Sequence, residues 1–112
     1  MKNKFFNRHK YGAKRSRCLL GHSHPSRLEC GYCEQLQMLK KSGDIKDFEY
    51  AKKYELRVNG ILVGCHKPDF SVTRKDGKLE VHETKGFSTS DWILRKNLFE
   101  AIYPEIPYIV IK

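Results

Sequence analysis

The chain has 112 residues, of which 39% are hydrophobic and 31% are charged, a composition typical of one soluble globular domain. Its apolar runs stay well short of the roughly 20 residues that span a bilayer, which disfavours a membrane protein. Lys and Arg outnumber Asp and Glu by 22 to 13, so the formal charge is +9, which favours a polyanionic partner such as nucleic acid. The alternative is a basic protein that is merely soluble.

Residues 1–17 form a basic arm that precedes a single domain at residues 18–112. The arm carries seven Lys or Arg residues and no acid, with Phe5, Phe6 and Tyr11 between them. Because basic side chains neutralise phosphates and aromatic rings stack on bases, we interpret it as a DNA-contacting arm. Its candidate phosphate ligands are Lys10, Lys14, Arg15 and Arg17. The alternative is a mobile solubilising tail.

A cluster of cysteine and histidine residues follows the arm. The N-terminus lacks the apolar stretch of a signal peptide, so we expect a cytoplasmic protein whose four cysteines form no disulfides. Cys18, His22, His24 and Cys33, with Cys30 as a substitute for Cys33, could hold one structural Zn²⁺. The spacing is not that of a standard zinc finger, and the alternative is free thiols and surface histidines.

Ser26 and Glu29 form a capping-box pattern, which predicts a helix from Ser26 to about Lys41 that ends at Ser42–Gly43. A helical wheel places the buried stripe at Leu28, Tyr32, Leu36 and Leu39, with Glu29 and Cys33 along its border and Cys30 nearly opposite. Glu29 has two interpretations. Its carboxylate either completes the cap or leans from the first turn toward a metal site.

The middle of the chain predicts strands. Residues 44–53 are expected to connect the helix to the sheet. Tyr54–Val58, the Asn59–Gly60 turn and a partner strand from Ile61 onward form one hairpin, and this partner strand leads into Pro68–Asp69. Cys65 and His66 precede that acid, and we expect them at packing or surface positions rather than as a metal pair.

A second hairpin consists of Phe70–Thr73, a turn at Asp76–Gly77 and a strand from Leu79 to Lys85. Alternation places Glu83 and Lys85 on one face, and folding at the turn brings Asp69 beside them. Two carboxylates beside an ammonium suit Mg²⁺ chemistry on a phosphate. The alternative is a solvated hairpin that happens to carry these charges.

The last segment predicts a helix and a strand. Residues 88–91 begin the helix, Pro104 stops it, and Trp92 is expected in the core; the apolar stripe comprises Trp92, Leu94, Leu98, Phe99 and Ile102. Arg95 lies within the stripe and either pairs with Asp91 or points to the site, and both Arg95 and Lys96 are candidate DNA phosphate ligands. Residues 106–111 are expected to form a buried strand.

The element order αβββαβ predicts an α/β fold in which helices flank a mixed β-sheet, a three-stranded antiparallel meander plus a later strand. Pro68–Asp69, thirteen intervening residues and Glu83-Thr84-Lys85 resemble the PD-(D/E)XK nuclease signature. Further similar segments in the same order are Lys10-Tyr11-Gly12, Ser26-Arg27-Leu28-Glu29, Lys85-Gly86-Phe87, Lys96-Asn97-Leu98-Phe99-Glu100 and Tyr103-Pro104. As an ordered set they resemble small phage-encoded nucleases related to Holliday-junction resolvases.

The resemblance implies a restriction-endonuclease-like core and a metal-dependent endonuclease. Asp69 and Glu83 would bind Mg²⁺ or Mn²⁺, Lys85 would position the attacking water, and Glu29 would be a further ligand or would orient that water. The product would carry a 5′-phosphate, and no organic cofactor is expected. If the chain is phage-encoded, it would act in the host cytoplasm.

The resemblance also points to branched DNA, in particular Holliday junctions. Because two strands of a junction must be cut, a C2 homodimer is expected. One alternative is a phage nuclease that nicks or trims DNA without junction preference. Another is a non-catalytic DNA-binding module of the same fold.

Overall fold

The computed structural model of the chain describes residues 16–17, 23–24, 26–85 and 88–112, the first two pairs by their backbone only. Its elements are β1 (Ser16–Arg17), β2 (Ser23–His24), α1 (Arg27–Ser42), β3 (Ile45–Tyr50), β4 (Tyr54–Val58), β5 (Ile61–His66), β6 (Phe70–Arg74), β7 (Leu79–Thr84), α2 (Ser90–Ile102) and β8 (Tyr108–Ile111).

The main sheet has four strands in the order β3, β6, β7, β8. β6 runs antiparallel to both β3 and β7, whereas β8 runs parallel to β7 after the chain has passed through α2. β4 and β5 form a separate hairpin, and β1 pairs with β2. The predicted mixed α/β class, a mixed sheet with flanking helices, is therefore confirmed.

α1 begins and ends where the sequence predicts. The Ser26 hydroxyl accepts a hydrogen bond from the Glu29 backbone N–H at 3.2 Å, which satisfies a donor that the first helical turn cannot pair. Gly43 ends the helix in the left-handed conformation, with φ of 86°. Its N–H bonds to the Leu39 and Lys40 carbonyls, as expected for a glycine cap.

The buried face of α1 differs from the prediction. Cys30 and Cys33 are buried, whereas Leu28 is 39% exposed, so placing Leu28 in the stripe and Cys30 opposite was wrong. The two cysteines pack with Leu36 against Phe70 and Val72 of β6. The small cysteine side chains leave room for the larger side chains of the sheet, such as Phe70. A helical wheel does not include the side chains of the sheet, so it cannot predict this packing.

The expected connection at residues 44–53 contains a strand, β3, so that prediction was wrong. β3 is an outer strand whose exposed positions carry Lys46, Asp47 and Glu49. A register shift between Ile45 and Asp47 lets Ile45 pack on the same core as Phe48 and Tyr50. This irregularity breaks the strict alternation that marks a strand in a sequence.

The hairpin predicted from Tyr54–Val58 and a strand beginning at Ile61 is present, but it lies outside the main sheet, so its place in the three-stranded meander was predicted wrongly. β5 ends at His66 and belongs to the separate hairpin, and β6 begins at Phe70 in the main sheet. The antiparallel meander of the main sheet therefore consists of β3, β6 and β7. Pro68 and Asp69 lie between the two sheets, and the Asp69 carbonyl accepts a hydrogen bond from the Ala51 N–H at 2.8 Å, just beyond the end of β3.

α2 and the β4–β5 hairpin cover the sheet face opposite α1, and their core contains Tyr54, Leu56, Val81 and Phe99. Leu94 is 65% exposed, so its placement in the buried stripe was wrong. β8 is half-buried rather than buried because it is the outermost strand on its side. Within the described ranges, no helix is long and apolar enough to cross a membrane.

Two glycines of α1 provide a test of its cap. Gly43→Ala forces a β-carbon into the left-handed region and is expected to lower the free energy of unfolding by about 1 kcal/mol. Gly31 lies inside the same helix, and a β-carbon there meets nothing within 4 Å. Gly31→Ala is therefore expected to raise the free energy by roughly 0.5–1 kcal/mol, with both changes measured by urea unfolding. Equal effects of the two variants would contradict the assigned cap.

Candidate active site

The candidate site lies where β6 begins and β7 ends. Antiparallel pairing of these strands places Phe70 opposite His82, so Asp69, one residue before β6, meets the last residues of β7. The Thr84 backbone N–H and hydroxyl donate to Asp69 Oδ2 at 2.9 and 2.8 Å. This double contact holds the Asp69 carboxylate at the end of the sheet, beside Glu83.

Glu83 is a buried carboxylate, with 6% of its surface exposed. The Tyr108 hydroxyl donates to Glu83 Oε1 at 2.5 Å. The buried indole N–H of Trp92 has no hydrogen-bond partner among the described residues, yet it lies near enough to Glu83 and Tyr108 to lower the pKa of both. Polar groups of α2 and β8 thus converge on the carboxylate from β7.

The third carboxylate, Glu29, comes from the first turn of α1 and is 4% exposed. Its Oε2 accepts a hydrogen bond from the Tyr50 hydroxyl at 2.7 Å. The backbone N–H of Glu29 serves the Ser26 cap, while its side chain is directed toward β3. The capping and inward interpretations of this residue therefore describe two different parts of it.

The three carboxylates interact electrostatically. Burial, followed by the charges of Glu83 and Glu29, raises the pKa of Asp69 to about 7, against the opposing effect of the Thr84 hydrogen bonds. Burial also raises the pKa of Glu83, and Glu29 adds to this effect. A charged carboxylate is disfavoured when water is removed and other acids lie nearby. The negative charges of the cluster repel one another, and a bound cation would offset this repulsion.

Lys85 brings a positive charge to the cluster. It follows β7, its Nζ lies 5.1 Å from the centre of the Trp92 ring, and its charge lowers the pKa of both Glu83 and His66. Lys85 therefore lies close enough to Glu83 for its charge to act on that carboxylate. Cation–π contact with Trp92 favours a defined position for the ammonium.

The carboxylates suit an open Mg²⁺ site better than a closed site in which the protein supplies every ligand. Among the described residues, no group of three or more His, Cys, Asp or Glu side chains is placed to hold a metal. Mg²⁺ commonly uses one or two carboxylates and completes its shell with water and substrate phosphate. Asp69 accepts its hydrogen bonds at Oδ2, and Oδ1 receives none from a described residue. Asp69 and Glu83 are therefore the pair suited to such an ion.

The two basic residues of α2 lie beside the site but have acidic partners. Arg95 contacts Asp91, as one interpretation of the sequence had it, and its charge also reaches His66. Lys96 bonds to Glu100 at 2.9 Å and lies 5.0 Å from the centre of the Tyr108 ring.

Several predicted residues fall outside what the structure describes. Lys10, Lys14, Arg15, Cys18 and His22 lie outside the described residues, and only the backbone is described for Arg17 and His24. Cys33 is fully buried, and its Sγ accepts a hydrogen bond from Gln37 at 3.5 Å. The zinc site and the DNA-contacting arm therefore remain predictions.

Sequence reasoning missed four residues that contact the site. Tyr50 and Tyr108 each donate to a carboxylate, and Thr84 holds Asp69. His66, expected at a packing or surface position, is buried, and its pKa is lowered to about 4 by burial and by the charges of Arg95 and Lys85. The only signal for Tyr108 in the sequence is one hydroxyl in an otherwise apolar strand, which does not specify its partner.

Residues 8–112 match the family model described as "Protein of unknown function (DUF1064)", and the chain belongs to that family. No curated protein and no solved structure matches the chain. Because the family description names no activity, the geometry at the end of β7 is the basis for the function proposed below.

The raised pKa of Asp69 predicts an inverse dependence of stability on pH. Its carboxyl titrates at about 7 in the folded chain rather than at 3.8, so between these values the folded state retains a proton that the unfolded state has lost. The contribution of Asp69 to stability is therefore present at low pH and is lost as the pH rises through 7.

Asp69→Asn keeps an acceptor oxygen for Thr84 and removes the charge. We expect it to raise the free energy of unfolding at pH 8 by on the order of 1–3 kcal/mol, with little effect at pH 4. Asp47→Asn is the matched control, because Asp47 is an exposed acid whose pKa is lowered by its hydrogen bond with Lys40. Urea unfolding of both variants across this pH range is the measurement. An Asp69→Asn effect that does not depend on pH would contradict the assignment.

Proposed function

We propose that the protein is a divalent-metal-dependent DNA endonuclease that hydrolyses phosphodiester bonds. The observation that carries the proposal is the convergence of Glu29, Asp69 and Glu83 at one end of the sheet, with the Asp69 pKa raised to about 7 by burial and by its acidic neighbours. Such groups collect at functional sites, and a bound cation would remove their repulsion. The PD-(D/E)XK resemblance of Pro68–Asp69 and Glu83-Thr84-Lys85 supports the same activity.

Asp69 and Glu83 would hold Mg²⁺ or Mn²⁺. Hard oxygen ligands accept either ion. When bound, the ion supplies positive charge to the phosphate oxygens and acidifies a bound water. Glu29 lies in the first turn of α1, and its charge acts on the carboxylates of both Asp69 and Glu83. Its role is that of a further ligand or a group that orients the water.

Lys85 would position the attacking water and stabilise the charge that develops on the phosphate. Its ammonium lies over Trp92, and Trp92 is 6% exposed. The Lys85 side chain thus contacts the ring of a buried tryptophan. Hydrolysis would leave a 5′-phosphate product and needs no organic cofactor.

The element order supports a restriction-endonuclease-like core. When the β4–β5 hairpin is left out, α1, β3, β6, β7, α2 and β8 follow the order αβββαβ, although β3 replaces the hairpin strands from which that order was predicted, and β8 lies parallel to β7. The acids come from the first helix, from the start of the second of these strands and from the end of the third. That distribution is what the resemblance implies for this class of nuclease.

Branched DNA is the substrate that we propose. The formal charge of +9 favours nucleic acid, and the resemblance points to Holliday junctions cut by a C2 homodimer. Arg95, Lys96 and the basic residues of the arm would contact phosphates. The alternatives are a nuclease without junction preference and a DNA-binding module that has lost catalysis.

Cleavage of a labelled four-way junction beside a linear duplex of equal length tests this function. With Mg²⁺, we expect paired symmetric nicks in the junction, and EDTA should abolish them. Asp69→Asn and Lys85→Met remove a metal ligand and the ammonium, so each should slow cleavage about a hundredfold or more. Asp47→Asn, an exposed carboxylate of β3, should cut at the wild-type rate.

Each outcome separates the alternatives. Equal cutting of junction and duplex would retain the nuclease and reject the junction preference. Tight binding without cutting, unchanged by Asp69→Asn, would favour the binding module. Loss of cleavage in Asp47→Asn as great as in Asp69→Asn would reject the assigned site.

A further inference from the structure

A chain of hydrogen bonds runs from His66, at the end of β5, to Glu83. His66 Nε2 lies 2.7 Å from the Tyr108 hydroxyl, which lies 2.5 Å from Glu83 Oε1. The three residues come from β5, β8 and β7, so they meet only in the folded chain. His66 is 3% exposed and its ring stacks on Tyr108, with centroids 5.9 Å apart and an interplanar angle of 26°.

The direction of these hydrogen bonds follows from the number of protons. A tyrosine hydroxyl has one proton, and Tyr108 donates it to Glu83. The Tyr108 oxygen can then only accept from His66, so the imidazole must carry its proton on Nε2. The Nε2 atom lies 3.8 Å from Glu83 Oε1, beyond hydrogen-bond distance, so His66 acts on the carboxylate through Tyr108.

We propose that His66 and Tyr108 are positioning residues that hold the Glu83 carboxylate in the orientation in which it binds a divalent cation. The inference rests on the proposed function. Tyr108 holds one carboxylate oxygen, which restricts rotation of the group, and His66 sets the orientation of the Tyr108 hydroxyl. Neither residue touches the substrate, and both act through Glu83.

A purely structural role explains the chain less well. Burial of an imidazole, a phenol and a carboxylate together removes three polar groups from water, whereas apolar side chains of the same size would fill the space at lower cost. All the polar contacts are directed at the acid of β7. Outer hydrogen-bond partners of this kind orient metal ligands, and their loss typically weakens metal affinity 10–100-fold.

Calorimetric titration of Mn²⁺ into the full chain, in the absence of DNA, tests the proposal. Tyr108→Phe should weaken Mn²⁺ binding about 10–100-fold. Tyr103→Phe is the matched control, because the Tyr103 hydroxyl donates at 2.7 Å to the Glu55 carbonyl, and its affinity should equal that of the wild type.

A pair of substitutions at His66 separates position from packing. His66→Gln retains an N–H donor and should bind Mn²⁺ nearly as the wild type does, whereas His66→Leu, which removes the donor, should be weakened. Equal affinities of Tyr108→Phe and Tyr103→Phe, with wild type binding Mn²⁺, would overturn the positioning role and leave the proposed function standing. A wild type that neither binds Mn²⁺ nor cuts DNA would overturn both.

The imidazole tautomer supplies a measurement that needs no variant and no metal. Long-range ¹H–¹⁵N correlation spectra of the wild-type chain should show a neutral His66 with the proton on Nε2. A proton on Nδ1 would break the hydrogen-bond chain to Glu83 and overturn the inference, even if Tyr108→Phe failed to fold.

Discussion

The repulsion among three carboxylates, of which Glu29 and Glu83 are buried and Asp69 is half-buried, is the constraint on which the rest of the site depends. Glu29, Asp69 and Glu83 are brought together although burial and their mutual charge raise the pKa of Asp69 and of Glu83. A fold that only needed stability would place apolar groups there. The surrounding hydrogen bonds from Thr84, Tyr50 and Tyr108 hold the acids in place while leaving the cluster short of positive charge.

Each acid is held by contacts with a different part of the fold. Asp69 is tied to the strand that carries Glu83, through the backbone and hydroxyl of Thr84. Glu29 is carried by a capped helix, whose small cysteines pack closely on Phe70 and Val72. Movement of any one acid would therefore disturb the core on one face of the sheet or the pairing of β6 with β7.

The other face of the sheet serves the site as well. Val81 and Phe99 belong to the core beneath α2 and the β4–β5 hairpin. His66, the last residue of that hairpin, forms a hydrogen bond with Tyr108. Trp92 supports Lys85 from the same side. The separate hairpin thus contributes to the organisation of the site, although it lies outside the main sheet.

Local patterns in the sequence were sufficient for the elements whose signals are local. The Ser26 cap, the Gly43 end of α1 and the turns at Asn59–Gly60 and Asp76–Gly77 depend on residues within a few positions of one another. The approach of Asp69 to Glu83 was also predictable, because one tight turn and the alternation of side chains determine which positions of a hairpin meet.

Tertiary packing alone decided the remainder. β3 escaped prediction because an outer strand with a register shift lacks regular alternation, and Cys30 was misplaced because the buried face of a helix is set by the sheet it covers. Tyr108 and His66 reach Glu83 from strands that are 25 and 17 residues away in the chain. Their hydrogen bonds exist only once three strands are assembled, so the sequence determined which acids meet, and the folded chain determined what holds them.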